Sequence, residues 1–358
     1  MTHGAKPGLW QAFQGLGISE AGLEQALADT PWRGQPLYPL QDTGLAHAHV
    51  RLGNSGQLLR IPKQSQVGLS ADQHLGHEAA CFQAAAPSLV TPALHRVLPV
   101  SQSLPRGALV LDFVPGEPLQ LPEQLTVMAR SLGAIHRVPV NGALYTQLRL
   151  PEDPITSMVR EVRSQASFLA KAGLPADTQQ RLRVELDTAA RVADRNRRPA
   201  EALITFDAHP GNFLVDKQGS AWMVDLEKCR ISHPGFDLAH ATLYTSTTWD
   251  MSSYAVLDPD DIAHAYDEWE QAFGPRGSDQ RPWHIPLRRL MWLWSTTWCA
   301  KWLALSGGPS GAEGQNWSES NNEQALNDHV RNRANHYLEA DVIEAIASEL
   351  VELERLLA

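Results

Sequence analysis

Three oxygen-bearing side chains stand close together in ITFDAHPGNFLVDKQGSAWMVDLEKCRISHPGFDLAHAT, residues 204–242. Asp207 and Asn212 fall in one loop between apolar runs, and Asp225 closes the run Trp222-Met223-Val224. Strand ends and the loops beyond them bring such groups side by side. Mg²⁺ takes hard oxygen ligands and keeps several waters, so one or two carboxylates, an amide oxygen and the phosphates of a nucleotide would complete its shell. Phosphoryl transfer also needs a carboxylate beside the incoming hydroxyl, to orient it and accept its proton, and Asp207 is placed for that. A lone Asp-x-x-x-x-Asn spacing reads as readily as turn capping around Pro210-Gly211. The second acidic strand end shifts the reading toward chemistry.

The elements that must position these groups are legible from periodicity. Residues 10–28 have helical spacing broken at Gly15 and Gly17, which predicts one or two short leading helices. Residues 36–62 alternate with period two, and Asn54-Ser55-Gly56 signals a hairpin, so an antiparallel sheet begins there. A helix is predicted around 74–86, a buried strand at 109–113 and a turn at 115–119. Helical spacing then dominates at 125–136, 157–172 and 177–195, interrupted by a strand, loop and hairpin over 203–225. Residues 307–322, rich in Gly, Ser, Asn and Glu, read as a loop.

Composition narrows the function classes. The 358 residues suffice for two domains or one two-lobed enzyme. With 30 basic and 40 acidic residues the formal charge is −10, and no basic run could follow a phosphate backbone, which argues against nucleic acid as partner. Cys81, Cys229 and Cys299 are odd in number and widely spaced, as expected of thiols in a reducing cytoplasm. The N-terminus has no export pattern, and Lys301 interrupts the apolar stretch 290–305, so no membrane span is expected. The sequence leaves the oligomeric state open.

DAHPGNFLVD followed by VDLE and GFDLA resembles the catalytic segment of the aminoglycoside phosphotransferase and choline kinase superfamily. The resemblance runs over roughly residues 36–300, with DTGLAHAHVRL similar to the nucleotide loop, LLRIP to the next strand and HEAACFQAA to the helix after it. It implies an α+β, bilobal protein-kinase-like fold: a small antiparallel-sheet N-lobe over 1–113 and a larger, mainly helical C-lobe over 114–358, with the nucleotide between them. By position it makes Asp207 the catalytic base and Asn212 and Asp225 the Mg²⁺ ligands. Arg60, paired with Glu78, takes the place of the phosphate-contacting cation, Gly44 lies in the nucleotide loop, and the backbone of Asp112, Phe113 and Val114 falls where the family binds adenine. ATP is the implied phosphoryl donor, Mg²⁺ the implied cofactor and a small-molecule hydroxyl the implied acceptor. Two positions differ from the usual pattern: Thr205 stands where His is common, and Gly44 is alone where relatives carry more glycines.

Other residues have a bland reading beside the functional one. Arg60 on an alternating strand reads as an exposed charge, and Glu78 as a solvated one. Asp237 is expected to brace the catalytic loop, and His209 to be satisfied by backbone. Glu227 reads as a surface charge or as a member of the metal or substrate site. Trp294, Trp298 and Trp302 recur at i, i+4, i+8, which predicts a core stripe, with an aromatic wall for a cationic substrate as the functional alternative. Asp250, Glu268 and Glu270 would suit such a cation, and together these features lean toward the choline and ethanolamine kinase branch. An aminoglycoside-type antibiotic phosphotransferase and a nucleotide-binding pseudokinase are the competing readings.

Overall fold

The computed structural model describes residues 10, 13, 15–41, 46–64, 68–150, 152–251, 253–306 and 322–358, the last range by backbone alone up to 326. The chain divides into two compact units, the first running to Pro115 and the second beginning at Gly116. Gly44 and all of the predicted loop 307–322 but its last residue lie outside the described residues, and Asn322 begins a helix.

In the first unit, α1 (Glu20–Ala26) precedes the strands β1 (Leu37–Pro39), β2 (His47–Leu52) and β3 (Gln57–Pro62). Helix α2 (Ala71–Ala85) follows, then β4 (Leu94–Leu98) and β5 (Ala108–Asp112). The strands form one antiparallel sheet in the order β1-β2-β3-β5-β4. The β2–β3 hairpin turns where predicted, and Gly56 takes φ 81°, a left-handed conformation that glycine adopts without a Cβ penalty. Val50, Leu52, Leu59, Ile61 and Val110 pack with Phe13, Leu23 and Leu27 into its core. Helix α2 starts in a capping box, Ser70 accepting from the Gln73 amide while Gln73 returns to the Ser70 N–H.

The second unit opens with β6 (Glu117–Pro118), where only a turn was expected, and continues through α3 (Leu125–His136), α4 (Gly142–Leu148), α5 (Pro154–Ala166) and α6 (Ala176–Ala190). β7 (Ala202–Ile204), β8 (Phe213–Val215), β9 (Ala221–Met223) and β10 (Arg230–Ser232) come next. Helices complete it: α7 (Gly235–Thr242), α8 (Tyr244–Thr247), α9 (Pro259–Phe273), α10 (His284–Ser306), α11 (Asn322–Tyr337) and α12 (Ala340–Leu356). Helix α6 ends at Ala190, short of the predicted Arg195, because the Arg198 guanidinium captures the carbonyls of Ala193 and Arg195 and bends this tail into turns.

Two small antiparallel sheets, β6-β8-β9 and β10-β7, are embedded among these helices. Helices α3 and α9 meet closely at Gly133, where a Cβ would stand only 2.5 Å from that of Ala272. The fully buried Arg288 ties four helices together, bonding the Thr242 hydroxyl (2.7 Å) and carbonyl (3.1 Å), the Tyr266 hydroxyl (3.3 Å) and Glu349 (2.7 Å). No helix among the described residues is long and apolar enough to cross a membrane. All three cysteines are buried thiols outside any disulfide.

Candidate active site

The loop between β7 and β8 is shaped from beneath by Asp237 on α7. This carboxylate is fully buried and accepts from the Thr205 N–H (2.6 Å), the Thr205 hydroxyl (2.9 Å), the Phe206 N–H (2.8 Å) and His136 Nε2 (3.1 Å). His136 is itself fixed, since the Trp269 indole N–H donates to its Nδ1 at 2.9 Å, which leaves Nε2 as the protonated nitrogen facing Asp237. The brace expected of Asp237 is thus present, and Thr205 is one of its donors. Phe206 is held at φ 55°, a left-handed conformation rare for a non-glycine residue, so Asp207 leaves the strand on a sharply turned backbone.

Beyond that turn Asp207 meets Asn212. The Asn212 amide nitrogen donates to the Asp207 carbonyl (3.0 Å), which fixes the rotation of the amide; among the described residues no donor reaches its Oδ1. The Val224 N–H donates to the Asn212 carbonyl (2.9 Å), extending the β8–β9 ladder and setting Asp225 beside the loop. One amide oxygen and one carboxylate so placed are hard donors of the kind a magnesium ion takes while keeping water and phosphate ligands. Glu227 is buried, at 5 % exposure, and its N–H donates to Asp225 Oδ1 at 3.5 Å. The surface reading of Glu227 does not hold.

The Lys228 ammonium lies 2.9 Å from Asp207 Oδ2, and among the described residues Asp207 Oδ1 has no hydrogen-bond partner. Burial pushes the Asp207 carboxyl up, but the Lys228 ammonium outweighs it and holds the group below the usual aspartate range. Burial likewise draws Lys228 down, and Asp207, Glu227 and Asp225 more than reverse that, so the lysine stays protonated. His209 Nδ1 accepts from the Gly211 N–H (3.0 Å), as expected of a loop histidine, yet its buried Nε2 has no partner among the described residues. His240, lowered by burial to about 4, presents a buried Nδ1 that is also unpartnered among the described residues. Asp250 approaches the same loop, with Oδ2 3.4 Å from the Cβ position of Gly211.

The predicted Trp stripe departs from a core role. Trp292 is fully buried, whereas Trp294, Trp298 and Trp302 are half-buried, because α10 turns its Trp292 side to the interior. Trp294 meets the Phe206 ring edge-on at 5.6 Å and donates its N–H to Glu161 (2.7 Å), while Trp298 packs on Trp249 at 6.2 Å. Phe206 already carries a cation, the Arg230 guanidinium 3.7 Å from its ring centroid. Glu268 is engaged by Arg130 (2.7 Å) and Glu270 by Arg281 (2.9 Å) and His284 (2.8 Å), so neither is available to a cationic substrate.

In the first unit Arg60 is buried rather than exposed, since both faces of the end of β3 are covered. Its Nε lies 3.4 Å from Glu78 Oε1, to which His47 Nε2 also comes within 2.6 Å. Burial raises Glu78, but His47 and Arg60 overcome it and bring the carboxyl down to about 2. At the end of β5 the Asp112 N–H donates to the Ala93 carbonyl (3.1 Å) and the Phe113 N–H to that of Gly56 (2.8 Å). Of the three residues whose backbone is expected to meet adenine, Val114 alone keeps an N–H without a backbone partner among the described residues. The Asp112 side chain is occupied by the Ala93 N–H and by His95.

Sequence reasoning missed Lys228, His240 and the left-handed Phe206. Lys228 follows Asp225-Leu226-Glu227 directly, but its partner Asp207 lies on another strand, and no local pattern announces that pairing.

A sequence profile of the phosphotransferase enzyme family matches residues 44–280. Among solved structures, a choline/ethanolamine kinase family protein from Mesorhizobium loti superposes with TM-score 0.54 at 19% identity, covering 92% of this chain and 98% of its own. A putative aminoglycoside phosphotransferase from Ralstonia eutropha JMP134 gives TM-score 0.61 at 13% identity, with coverages of 92% and 99%. The GDP complex of aminoglycoside 2'-phosphotransferase-IIIa gives 0.57 at 15%, with 91% and 99%. A search of curated proteins finds no match. At these identities the likeness establishes the fold, an α+β kinase-like architecture with an antiparallel-sheet N-terminal part and a helical C-terminal part.

Proposed function

The chain belongs to the phosphotransferase enzyme family, and on that premise we propose that it transfers the γ-phosphoryl group of Mg·ATP to a hydroxyl of a small molecule. The observation that carries the reading is the convergence of Asp207, Asn212 and Asp225 on one loop and the adjoining strand end, with Asp207 held ionised and its Oδ1 open. Asn212 and Asp225 would hold the magnesium ion, which when bound neutralises phosphate charge. Asp207 orients the acceptor hydroxyl and takes its proton. The acceptor oxygen then bonds to the γ-phosphorus, and the nucleoside diphosphate leaves with the electron pair of the broken bond. In the first unit, Arg60, restrained by Glu78, is the proposed phosphate contact, and the Val114 N–H is the donor open to adenine. Gly44 is proposed to lie in the phosphate loop, and the cytoplasm is the proposed setting.

Among acceptors we favour an amino alcohol of the choline kind, because Trp294 and Trp298 are half-exposed and Trp294 borders Phe206 beside Asp207. Glu227, buried next to Asp225, is proposed to shape the same site. An aminoglycoside acceptor is the second reading, since the solved relatives include aminoglycoside phosphotransferases. ADP release from Mg·ATP, measured across choline, ethanolamine, aminoglycosides and other hydroxyl compounds, tests both. Acceptor-dependent release supports the proposal. Tight binding of Mg·ATP with no consumption across the panel would favour a pseudokinase instead.

A further inference from the structure

Asp207 has two oxygens in different situations. Oδ2 is held by Lys228 at 2.9 Å, while Oδ1 has no hydrogen-bond partner among the described residues. The pair is partly screened, with side-chain exposures of 33% for Lys228 and 21% for Asp207, so as a stabilising contact it is worth only about 0–1 kcal/mol. Its position gives it more consequence than its stability. An aspartate carboxylate can swing about both its side-chain bonds, and the Lys228 contact selects one orientation for it. Asp225 carries a second negative charge close enough to disfavour ionisation of Asp207, and Lys228 is drawn to both carboxylates.

We infer that Lys228 is a positioning residue for the transfer: it holds Asp207 by Oδ2, so that Oδ1 alone meets the acceptor hydroxyl, and its charge offsets the repulsion between Asp207 and Asp225. The inference rests on the roles proposed above for those two aspartates. Lys228 exchanges no proton in the step; the acceptor proton passes to Asp207, and the ammonium stays charged throughout.

Two effects of opposite sign follow from removing the ammonium. Lys228→Met keeps an unbranched side chain one atom shorter but frees the Asp207 carboxylate, and misorientation of a reacting group by about 1 Å costs on the order of 10²-fold in rate. The same change removes a positive charge near Asp225, so a divalent cation should bind a few-fold more tightly. A contact that served stability alone would leave the kcat of the folded chain unmoved.

The test uses wild type, Lys228→Met and Lys228→Arg as full chains. Mn²⁺ binding to the nucleotide-free protein is followed by electron paramagnetic resonance, and ADP release from Mg·ATP is followed with water as the acceptor. The expected result is tighter Mn²⁺ binding by Lys228→Met together with a kcat lowered about 10²-fold at unraised KM for ATP. Lys228→Arg, which keeps charge and donors, should restore both. Unchanged kcat in Lys228→Met, or Mn²⁺ binding that is unchanged or weaker, overturns the inference while leaving the phosphotransferase reading intact. A wild-type chain that neither binds Mn²⁺ nor releases ADP overturns both.

Discussion

Asp237→Asn should loosen the approach to Asp207 without unfolding the second unit. The native carboxylate is inaccessible to solvent and accepts four hydrogen bonds, three on Oδ2 and one on Oδ1. An asparagine of the same shape keeps one accepting oxygen, and whichever way its amide turns, an NH₂ group faces a backbone N–H. One charge-assisted bond, worth about 1.5–3 kcal/mol, is lost, and at least one buried N–H goes unsatisfied at about 1–3 kcal/mol. A combined loss near 3 kcal/mol corresponds to roughly 10²-fold faster exchange of the Thr205 and Phe206 amides if they exchange by local opening. The left-handed turn at Phe206, which holds about 1–3 kcal/mol of strain, would relax once the clamp weakens, and Asp207 would lose its aim. Hydrogen exchange read by mass spectrometry on a peptide spanning residues 203–208 measures this, with a peptide from α12 as the control. Exchange within about threefold of wild type at 203–208 would refute the argument that Asp237 holds this loop.

Further outcomes follow from the same contacts. The Glu78 carboxyl titrates near 2 in the folded chain against an ordinary 4.5, so its ionised form contributes about 3 kcal/mol of stability above pH 4.5, lost progressively as the pH falls toward 2. Glu78→Gln should therefore lower the thermal midpoint of the first unit at pH 7 and flatten its dependence between pH 4.5 and 2; an unaltered slope in that window would contradict the assignment. Glu349→Ala strips the buried Arg288 of its carboxylate and should cost about 3 kcal/mol in urea denaturation, with partial recovery in Arg288→Met/Glu349→Leu. A loss under about 0.5 kcal/mol would show that Thr242 and Tyr266 alone satisfy the guanidinium.

The site was legible where its chemistry is written in local runs. Asp207, Asn212 and Asp225 announce themselves because the apolar strands around them are short and the polar residues between them cluster. The Arg60–Glu78 pair was reached only through resemblance, since alternation along β3 predicts an exposed charge and the covering of both strand faces is a tertiary fact. The same limit hid Lys228, whose significance depends on a strand pairing, and β10, whose partner β7 precedes it by an entire hairpin. Strand β6 escaped because two residues carry no periodicity, and β4 because its residues are mostly exposed and alternate weakly. The Trp stripe misled for a related reason: α10 is apolar on several sides, so spacing alone could not say which tryptophan faces the interior.

A division of labour between two aspartates is the centre of the account, and it can be measured in one comparison. Binding of a Mg-bound, non-hydrolysable ATP analogue and turnover of Mg·ATP are determined for Asp207→Ala and Asp225→Ala beside wild type. Asp207→Ala should bind the analogue as wild type does while its turnover falls about 10²–10⁴-fold, and Asp225→Ala should lose magnesium-dependent binding as well. Equal losses of binding and turnover in the two variants would contradict the account.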